Sequence, residues 1–288
     1  MGYELVTNYR EDQNLRASFN ALAKETFGIN FDKWYELGLW TDVYKPYSLV
    51  LDGHIIANVS VNELKFSIGG QSYSALQIGT VMTKMANRGQ GLGKRLMNYV
   101  LDLYKGYDII YLFSNKDAIG FYEQFEFQVY EQSAYVLKKA YVPRSCVTTH
   151  LSIDNPVHRD MIVSYSDQRY PNELFEVRKA SGITAFYATN VFPDNLYYIE
   201  LIDAIIIAST EDGVLYLHDL IARTKVDMDE VIPLLINQPV KEVRFAYTPD
   251  FRDDKLVKVP YVDEDSTFFI KTKKDIILNE RYPITAMA

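Results

Sequence analysis

The chain has one cysteine, Cys146, and four histidines, and both shortages exclude classes of protein. A single cysteine cannot form an internal disulfide, so a disulfide-stabilised scaffold is excluded. The histidines are scattered and have no cysteine neighbours, a spacing that does not match a structural zinc site. They stand at positions 54, 150, 158 and 218. We therefore expect a fold without a metal.

Long apolar runs and an excess of basic charge are also missing. No stretch approaches the ~20 apolar residues that span a bilayer, and residues 1–11 lack the apolar core of a signal peptide, which predicts a cytoplasmic protein without membrane contact. Residues 141–288 carry 16 basic and 23 acidic side chains. Because nucleic-acid binding needs clustered Lys and Arg, we do not expect it. The excess of acidic side chains in residues 141–288 would instead attract cationic small molecules or basic peptides.

The apolar content is 48% over 288 residues, which is enough for a buried core in each of two domains. Residues 1–140 alternate strand-like and helix-like periods, which predicts an α+β domain with a mixed sheet. Residues 141–156 contain two prolines and no clear period, so they are interpreted as a linker. A hairpin, long strand, helix and strand then recur, which predicts a second domain of similar architecture over residues 141–288.

Periodicity and turn residues predict the individual elements. In the first domain we expect strands at 3–7, 47–51, 55–65, 72–83 and 109–113, a strand pair at 127–130 and 133–137, and helices at 13–26, 31–39, 92–104 and 118–124, the first capped by Asp12. In the second we expect helices at 172–181 and 227–236 and strands at 196–202, 204–209, 214–222 and 240–247. Residues 282–288 are expected to complete the second sheet as a strand or to fray.

One glycine-bearing segment, Arg88 to Lys94, lies between a predicted strand and an amphipathic helix. Glycines allow positive φ and close backbone approach, and the N–H groups of a helix's first turn attract an anion such as a pyrophosphate. The segment matches neither the dinucleotide fingerprint nor a nucleotide-triphosphate loop, which needs Ser or Thr where Arg95 stands. The remaining pattern is R-x-x-G-x-G, which by itself could also be a glycine-rich helix start.

A second segment, Asn115 to Glu123, follows a short predicted strand and reads N-x-x-A-x-x-x-Y-E. In this order and at this separation, the two segments resemble the GNAT superfamily of acyl-CoA N-acyltransferases. The resemblance covers about residues 3–138. It implies a GNAT-like fold and acetyl-CoA as the cosubstrate, with no metal.

The resemblance also implies roles for individual residues. Backbone N–H groups would hold the coenzyme A pyrophosphate, and Arg88 and Lys94 would add positive charge. The N–H groups belong to Gly89, Gln90, Gly91, Leu92, Gly93 and Lys94. The backbone of Val81, Met82 and Thr83 would pair with pantetheine, and Asn115 would bond to the same arm.

Direct acetyl transfer needs an oxyanion donor, a proton for the leaving thiolate and a base. The N–H of Met82 or Val81 is the expected donor to the oxyanion, and Tyr122 is expected to protonate the thiolate. Glu63 and His54 are candidate bases, although both could be solvated strand residues. One departure from the family pattern is Glu126, where a glycine often precedes the final phenylalanine.

The second half resembles the divergent second domain of some two- and three-domain bacterial members of the superfamily. Residues 224–230 contain no glycine and three acids, Asp227, Asp229 and Glu230. Since carboxylates repel a pyrophosphate, we expect this copy to bind no coenzyme and to shape the acceptor cleft or an oligomer interface. In larger relatives the chain's terminal carboxylate can lie in the active site.

Two functions follow from these observations. The first is an N-acetyltransferase that moves an acetyl group from acetyl-CoA directly to a primary amine of a small molecule or peptide. The alternative is a non-catalytic module that senses coenzyme A or binds a partner. A homo-oligomer is compatible with both.

Overall fold

In a computed structural model, the described residues 2–263, 265–276 and 278–288 form two mixed β-sheets with helices packed against them. The helices are Gln13–Phe27 (α1), Asp32–Glu36 (α2), Leu92–Leu103 (α3), Ile119–Glu123 (α4), Pro156–Asp167 (α5), Ser181–Asn190 (α6) and Met228–Leu235 (α7). The strands are Glu4–Thr7 (β1), Tyr44–Leu51 (β2), His54–Ile68 (β3), Gln71–Thr83 (β4), Ile109–Ser114 (β5), Gln128–Val129 (β6), Gln132–Leu137 (β7), Thr148–His150 (β8), Phe175–Arg178 (β9), Leu196–Ile199 (β10), Ala204–Glu211 (β11), Val214–Ala222 (β12), Glu242–Phe245 (β13), Leu256–Tyr261 (β14) and Thr267–Thr272 (β15). No helix in these ranges is long and apolar enough to cross a membrane.

Signals from neighbouring residues in the sequence predict several helix ends and strands of the first half correctly. The Asp12 carboxylate accepts hydrogen bonds from the backbone N–H groups of Asn14 and Leu15, so the predicted cap of α1 is confirmed. At the other end, Gly28 takes the left-handed conformation with φ +72°, which closes the helix. Strands β2, β3 and β4 form the predicted antiparallel meander after two helices.

The first sheet has the order β1-β2-β3-β4-β5-β15-β6, and β9 pairs with the part of β3 that extends beyond β2. Strands β4 and β5 are parallel, with Ala75 opposite Ile109 and Ile78 opposite Leu112. Helices α3 and α4 pack on one face of this sheet. On the other face, α1 and α2 share a core with α5, α6 and the last residues of the chain.

The two sheets exchange strands. Strand β7 lies in the second sheet, between β13 and β14, whereas β15 joins the first sheet between β5 and β6. The expected pairing of 127–130 with 133–137 is therefore wrong. The connection between the two predicted strands, Glu131-Gln132, has no Gly, Asn or Asp for a two-residue hairpin turn. The division into domains at residue 140 stays a prediction, but neither sheet is built from one half of the chain.

The second sheet, in the order β14-β7-β13-β12-β11-β10-β8, repeats the central arrangement of the first. Strands β11 and β12 form a hairpin, and β12 runs parallel to β13 over four residue pairs, from Val214 opposite Glu242 to Leu217 opposite Phe245. Helix α7 connects β12 and β13, as α3 connects β4 and β5. The predicted repetition of hairpin, strand, helix and strand is confirmed.

One other expectation for the second half is wrong. Residues 172–181 are not a helix, because Asn172 Oδ1 accepts hydrogen bonds from the N–H groups of Leu174 and Phe175 and starts strand β9. The segment interpreted as a linker contains the three-residue strand β8. Helix α5, which begins at its end, was not predicted, although its Asn155 cap and Pro156 are ordinary signals of a helix start.

The last residues neither form a strand nor fray. They run buried between the two sheets and include a short 3-10 turn, Ile284–Ala286. The Tyr282 hydroxyl shares a 2.8 Å hydrogen bond with the Tyr111 hydroxyl of β5 and donates another, also 2.8 Å, to the Ala286 carbonyl. Burial of Tyr282 against first-sheet aromatics holds this segment in place.

Strand exchange predicts that residues 1–140 do not fold alone. The fragment lacks β15, whose Phe268, Phe269 and Ile270 are at most 7% exposed. Each such side chain contributes about 1.5–3 kcal/mol when buried, and a whole domain is stable by only about 5–15 kcal/mol. We expect no cooperative urea transition for 1–140 by circular dichroism, and one for the full chain. A cooperative transition of the fragment would contradict this expectation.

Candidate active site

The first sheet opens between β4 and β5. Their pairing ends at Ile78 opposite Leu112, although β4 continues to Thr83 and β5 to Ser114. Beyond that point, the backbone groups of β4 that face β5 have no strand partner among the described residues. They offer N–H and C=O groups along a groove, as an extended ligand would require.

A bulge in β4 lies at the start of this opening. Val59 of β3 faces two β4 residues, Thr80 and Val81, and Thr80 has φ +43°, which is uncommon for a residue other than glycine. The Thr80 hydroxyl shares a 2.7 Å hydrogen bond with Tyr44 Oη. The bulge redirects the β4 backbone where the strands separate.

Buried polar side chains on the neighbouring strands stabilise the bulge by hydrogen bonds. Asn58 donates hydrogen bonds from Nδ2 to the Thr80 carbonyl at 2.8 Å and to Ser60 Oγ at 2.9 Å. Its Oδ1 accepts a hydrogen bond from Ser48 Oγ at 2.7 Å, and Ser48 bonds in turn to the Tyr9 hydroxyl. This network was not predicted from the sequence, although polar residues that alternate with valine inside a buried strand indicate buried hydrogen bonds.

Replacing Asn58 with leucine should destabilise the fold. The side chains of Asn58, Ser48 and Ser60 are fully buried, and the substitution leaves several polar groups without partners. Each such group costs about 1–3 kcal/mol, so we expect the free energy of unfolding to fall by about 3 kcal/mol in urea titrations. The control is Asn98→Leu on the exposed face of α3, expected to change it by less than about 0.5 kcal/mol. Equal effects would show that the network does not matter.

The glycine segment lies at the end of β4 and leads into α3. Gly89 and Gly91 have φ +75° and +74°, and no atom of the described residues outside the adjoining ones lies within 4 Å of where their Cβ atoms would stand. Gly91 is the N-cap residue of α3, and it offers no side chain to the helix N–H groups. The first helical N–H with a backbone partner is that of Arg95, which donates to the Gly91 carbonyl at 3.0 Å. The preceding amides are available to an anion.

The charge around this segment is positive. Lys84, Arg88, Lys94 and Arg95 are exposed, and none forms an ion pair within the described ranges. No acidic residue stands between positions 81 and 101. Arg88 Nε donates a 3.1 Å hydrogen bond to the Thr83 carbonyl, which ties the segment to the end of β4.

Three segments of the chain meet at Gly93. A Cβ built on Gly93 would lie 3.5 Å from Thr83 Oγ1, at the end of β4, and 3.5 Å from Phe121 Cζ, on α4. The structure therefore brings the glycine segment, the end of β4 and the second motif together. Asn115 lies at the start of that motif, exposed, with Oδ1 accepting a hydrogen bond from the Ala118 N–H and Nδ2 left to donate.

Tyr122 follows Phe121 on α4 and is 7% exposed. Its ring packs against Phe121, Phe127 and Phe269. Burial raises the pKa of the Tyr122 hydroxyl well above its ordinary value, and among the described residues this hydroxyl has no hydrogen-bond partner. It therefore stays protonated and free to donate a hydrogen bond.

The two candidate bases do not lie at the opening. Glu63 lies near the end of α3, and its Oε1 accepts hydrogen bonds from Lys45 Nζ at 2.5 Å and from Tyr104 Oη at 3.2 Å. Desolvation raises its pKa, but these bonds outweigh it and the net shift is downward, so Glu63 is a weak proton acceptor. His54 is exposed at the turn between β2 and β3.

The end of the chain lies on the opposite face of the sheet from α3, at the same opening. Ala288 packs on Gly79, where a Cβ would lie 3.3 Å from the Ala288 carbonyl carbon. Gln77, two residues earlier, donates a 3.3 Å hydrogen bond to the Ala286 carbonyl. Glycine at position 79 permits this close approach. No local pattern in the sequence predicted it.

The second domain differs at the corresponding helix start. The Asp227 carboxylate accepts a hydrogen bond from the Asp229 N–H and so caps α7, and Asp229 and Glu230 occupy its first turn. Lys139 and Arg144 form ion pairs with Asp229 and Glu230. Carboxylates thus occupy the start of α7, whereas the start of α3 has no side-chain cap, and a helix N-terminus with carboxylates does not favour a further anion.

Known proteins share this architecture. A family model described as an acetyltransferase (GNAT) domain matches residues 13–130, and no curated protein matches the sequence. A GCN5-related N-acetyltransferase of Kribbella flavida is 14% identical over 94% of this chain and 71% of its own, with a TM-score of 0.55. One from Anabaena variabilis is 10% identical over 93% and 73%, with a TM-score of 0.58. Eis1 of Mycobacterium abscessus is 12% identical over 93% and 73%, with a TM-score of 0.57. At such identities, these likenesses show the fold.

Proposed function

Residues 13–130 form a GNAT acetyltransferase domain, and from this premise we propose that the protein transfers an acetyl group from acetyl-CoA directly to a primary amine. One observation carries the proposal. The uncapped first turn of α3, with glycines at positive φ, lies beside the groove that opens between β4 and β5. A diphosphate complements the uncapped helix start in shape and charge, and an extended pantetheine arm complements the open edge of β4.

The residues present fit this cosubstrate. The amides of residues 89–94 hold the pyrophosphate, and Arg88 and Lys94 add positive charge. The backbone of residues 81–83 pairs with pantetheine, and Asn115 donates to the same arm from Nδ2. This placement directs the thioester to the bulge at Thr80.

The chain supplies two of the contributions that acyl transfer needs. The N–H of Met82 or Val81 donates to the oxygen that becomes negative as the amine forms the new C–N bond. As the C–S bond breaks, the Tyr122 hydroxyl donates its proton to the leaving thiolate, and the proton that the new amide nitrogen loses restores that hydroxyl through solvent. Binding both reactants in one groove adds the gain in effective concentration.

The acceptor approaches from the face covered by the second domain. Gly79 and residues 285–288 lie on that face, so the second domain and the chain's last residues shape the acceptor site. Residues 141–288 have more acidic than basic side chains, and this charge favours a cationic amine. The closed start of α7 leaves the second copy without a coenzyme site.

Turnover with a panel of amines tests the proposal. The protein is incubated with acetyl-CoA and polyamines, aminoglycosides, amino acids or lysine peptides, and free thiol is measured. We expect acceptor-dependent thiol release whose kcat/KM falls as ionic strength rises, because steering of a cation is screened by salt. Coenzyme A binding without turnover on any acceptor would instead support the sensing module. Absence of coenzyme A binding by calorimetry would reject both.

A further inference from the structure

The second domain has a cavity at the position that corresponds to the opening between β4 and β5 in the first domain. Strands β12 and β13 separate after Leu217 opposite Phe245, and a cavity of about 120 Å³ lies between the end of β12, the start of α7 and the segment after β13. This volume suits a small molecule rather than a single water. Strand β9, which pairs with the first sheet, forms a further wall.

A guanidinium group lines this cavity. Arg169 is one fifth exposed, and its Nη2 donates a 2.9 Å hydrogen bond to Oδ2 of the buried Asp219. Within the described ranges, this is the only hydrogen bond of its five N–H donors. Its other nitrogens are not sealed from solvent, so they are available to a ligand in the cavity. A carboxylate is the group that matches a guanidinium fork.

A carboxylate with a free oxygen lines the same cavity. Glu176 is 5% exposed, and its Oε2 accepts a 2.7 Å hydrogen bond from Arg178 Nε. Its other oxygen, Oε1, accepts no hydrogen bond from the described residues and is not sealed from solvent. An ammonium group would satisfy it.

The two free groups favour a single ligand that carries both charges. The cavity is lined by two basic residues, Arg169 and Lys225, and by three acidic ones, Glu176, Asp219 and Asp250, and Arg178 pairs with Glu176. A simple anion would leave Glu176 Oε1 without a partner, whereas a simple cation would leave the free guanidinium donors unused. A molecule that carries a carboxylate and an ammonium satisfies both sides.

We propose that this cavity binds a free α-amino acid, with its carboxylate on Arg169 and its ammonium on Glu176. The site is separate from the acetyl-transfer site and does not depend on the function proposed for it. The two are linked, because Asp219 Oδ2 also accepts a 2.5 Å hydrogen bond from Thr285 Oγ1, three residues before Ala288 at Gly79.

Isothermal titration of the full chain with each of the twenty proteinogenic amino acids, without coenzyme A, tests this site. We expect saturable binding of at least one of them with a Kd of about 1 mM or below. Its methyl ester and its N-acetyl derivative each lack one charge, and both should bind at least about tenfold more weakly. No binding at about 10 mM, or equal binding of the derivatives, would overturn the proposal.

Two variants locate the binding. Thr224 is exposed at the cavity, and Thr224→Trp should obstruct it and weaken binding at least about tenfold. Thr149→Trp, on the exposed edge strand β8, is the matched control and should bind as the wild type does. Arg169→Lys keeps a charge opposite Asp219 but loses the fork, so it should also weaken binding about tenfold. Amino acid binding that survives Thr224→Trp but is lost in Gly91→Asp would assign the ligand to the first domain instead.

Discussion

Replacing Gly91 with aspartate should weaken coenzyme A binding at least about 100-fold in isothermal titration. Gly91 has φ +74°, and aspartate, like asparagine, visits this left-handed conformation, so the loss comes from the charge. The new carboxylate would lie at the start of α3, where a like charge at 4 Å costs up to about 4 kcal/mol. Since each 1.4 kcal/mol is tenfold in affinity, a repulsion of this size exceeds 100-fold.

Two further variants separate the causes. Gly91→Asn tolerates the left-handed conformation and adds no charge, so it should lose less than about tenfold. Gly213→Asp introduces the same change at φ +75° in the turn between β11 and β12. It should leave coenzyme A affinity at the wild-type value. Wild-type affinity in Gly91→Asp would show that the first turn of α3 does not hold the pyrophosphate.

Tyr122→Phe should lower kcat by about 10²–10⁴-fold, the range that a positioned proton donor contributes. We expect the KM for acetyl-CoA to change less than twofold, since the backbone supplies most cosubstrate contacts. The substitution retains the ring that packs against Phe127 and Phe269. Steady-state kinetics with the best acceptor of the panel would measure the effect.

Stability separates a chemical role of Tyr122 from a structural one. Its hydroxyl has no partner among the described residues, so removing it should change the free energy of unfolding by less than about 0.5 kcal/mol. Tyr104→Phe is the matched control for the loss of a tyrosine hydroxyl. The Tyr104 hydroxyl bonds to Tyr47 and Glu63, away from the opening, so its removal should leave kcat nearly unchanged. An unaltered kcat in Tyr122→Phe would exclude it as the proton donor.

The two domains use the same architecture with opposite charge at the helix start. In the first, α3 begins at Gly91 without a side-chain cap and with basic neighbours. In the second, α7 begins at Asp227, whose carboxylate caps the helix. The parallel strand pair before each helix is retained. The second copy thus keeps an opening between parallel strands, but its helix start carries carboxylates in place of an uncapped glycine.

The sequence by itself determined those parts that depend on neighbours along the chain. The Asp12 cap, the meander β2–β4 and the glycine segment at the start of α3 rest on the chemistry of a few adjacent residues. The motif from Asn115 to Tyr122 was readable for the same reason. The pairing predicted for 127–130 and 133–137 failed because the decisive partners lie far along the chain, whereas the helix predicted at 172–181 failed at a local turn that starts at Asn172.

Only the tertiary structure decided which strands pair, what covers the face of the first sheet opposite α3 and what lines the second opening. Strand β15 joins β5, Ala288 rests on Gly79, and Arg169 meets Asp219 across fifty residues. Periodicity shows that a segment is a strand or is buried, but it does not identify the partner. Pairing is selected by the fit and burial of whole surfaces, and those surfaces exist only after the chain has folded.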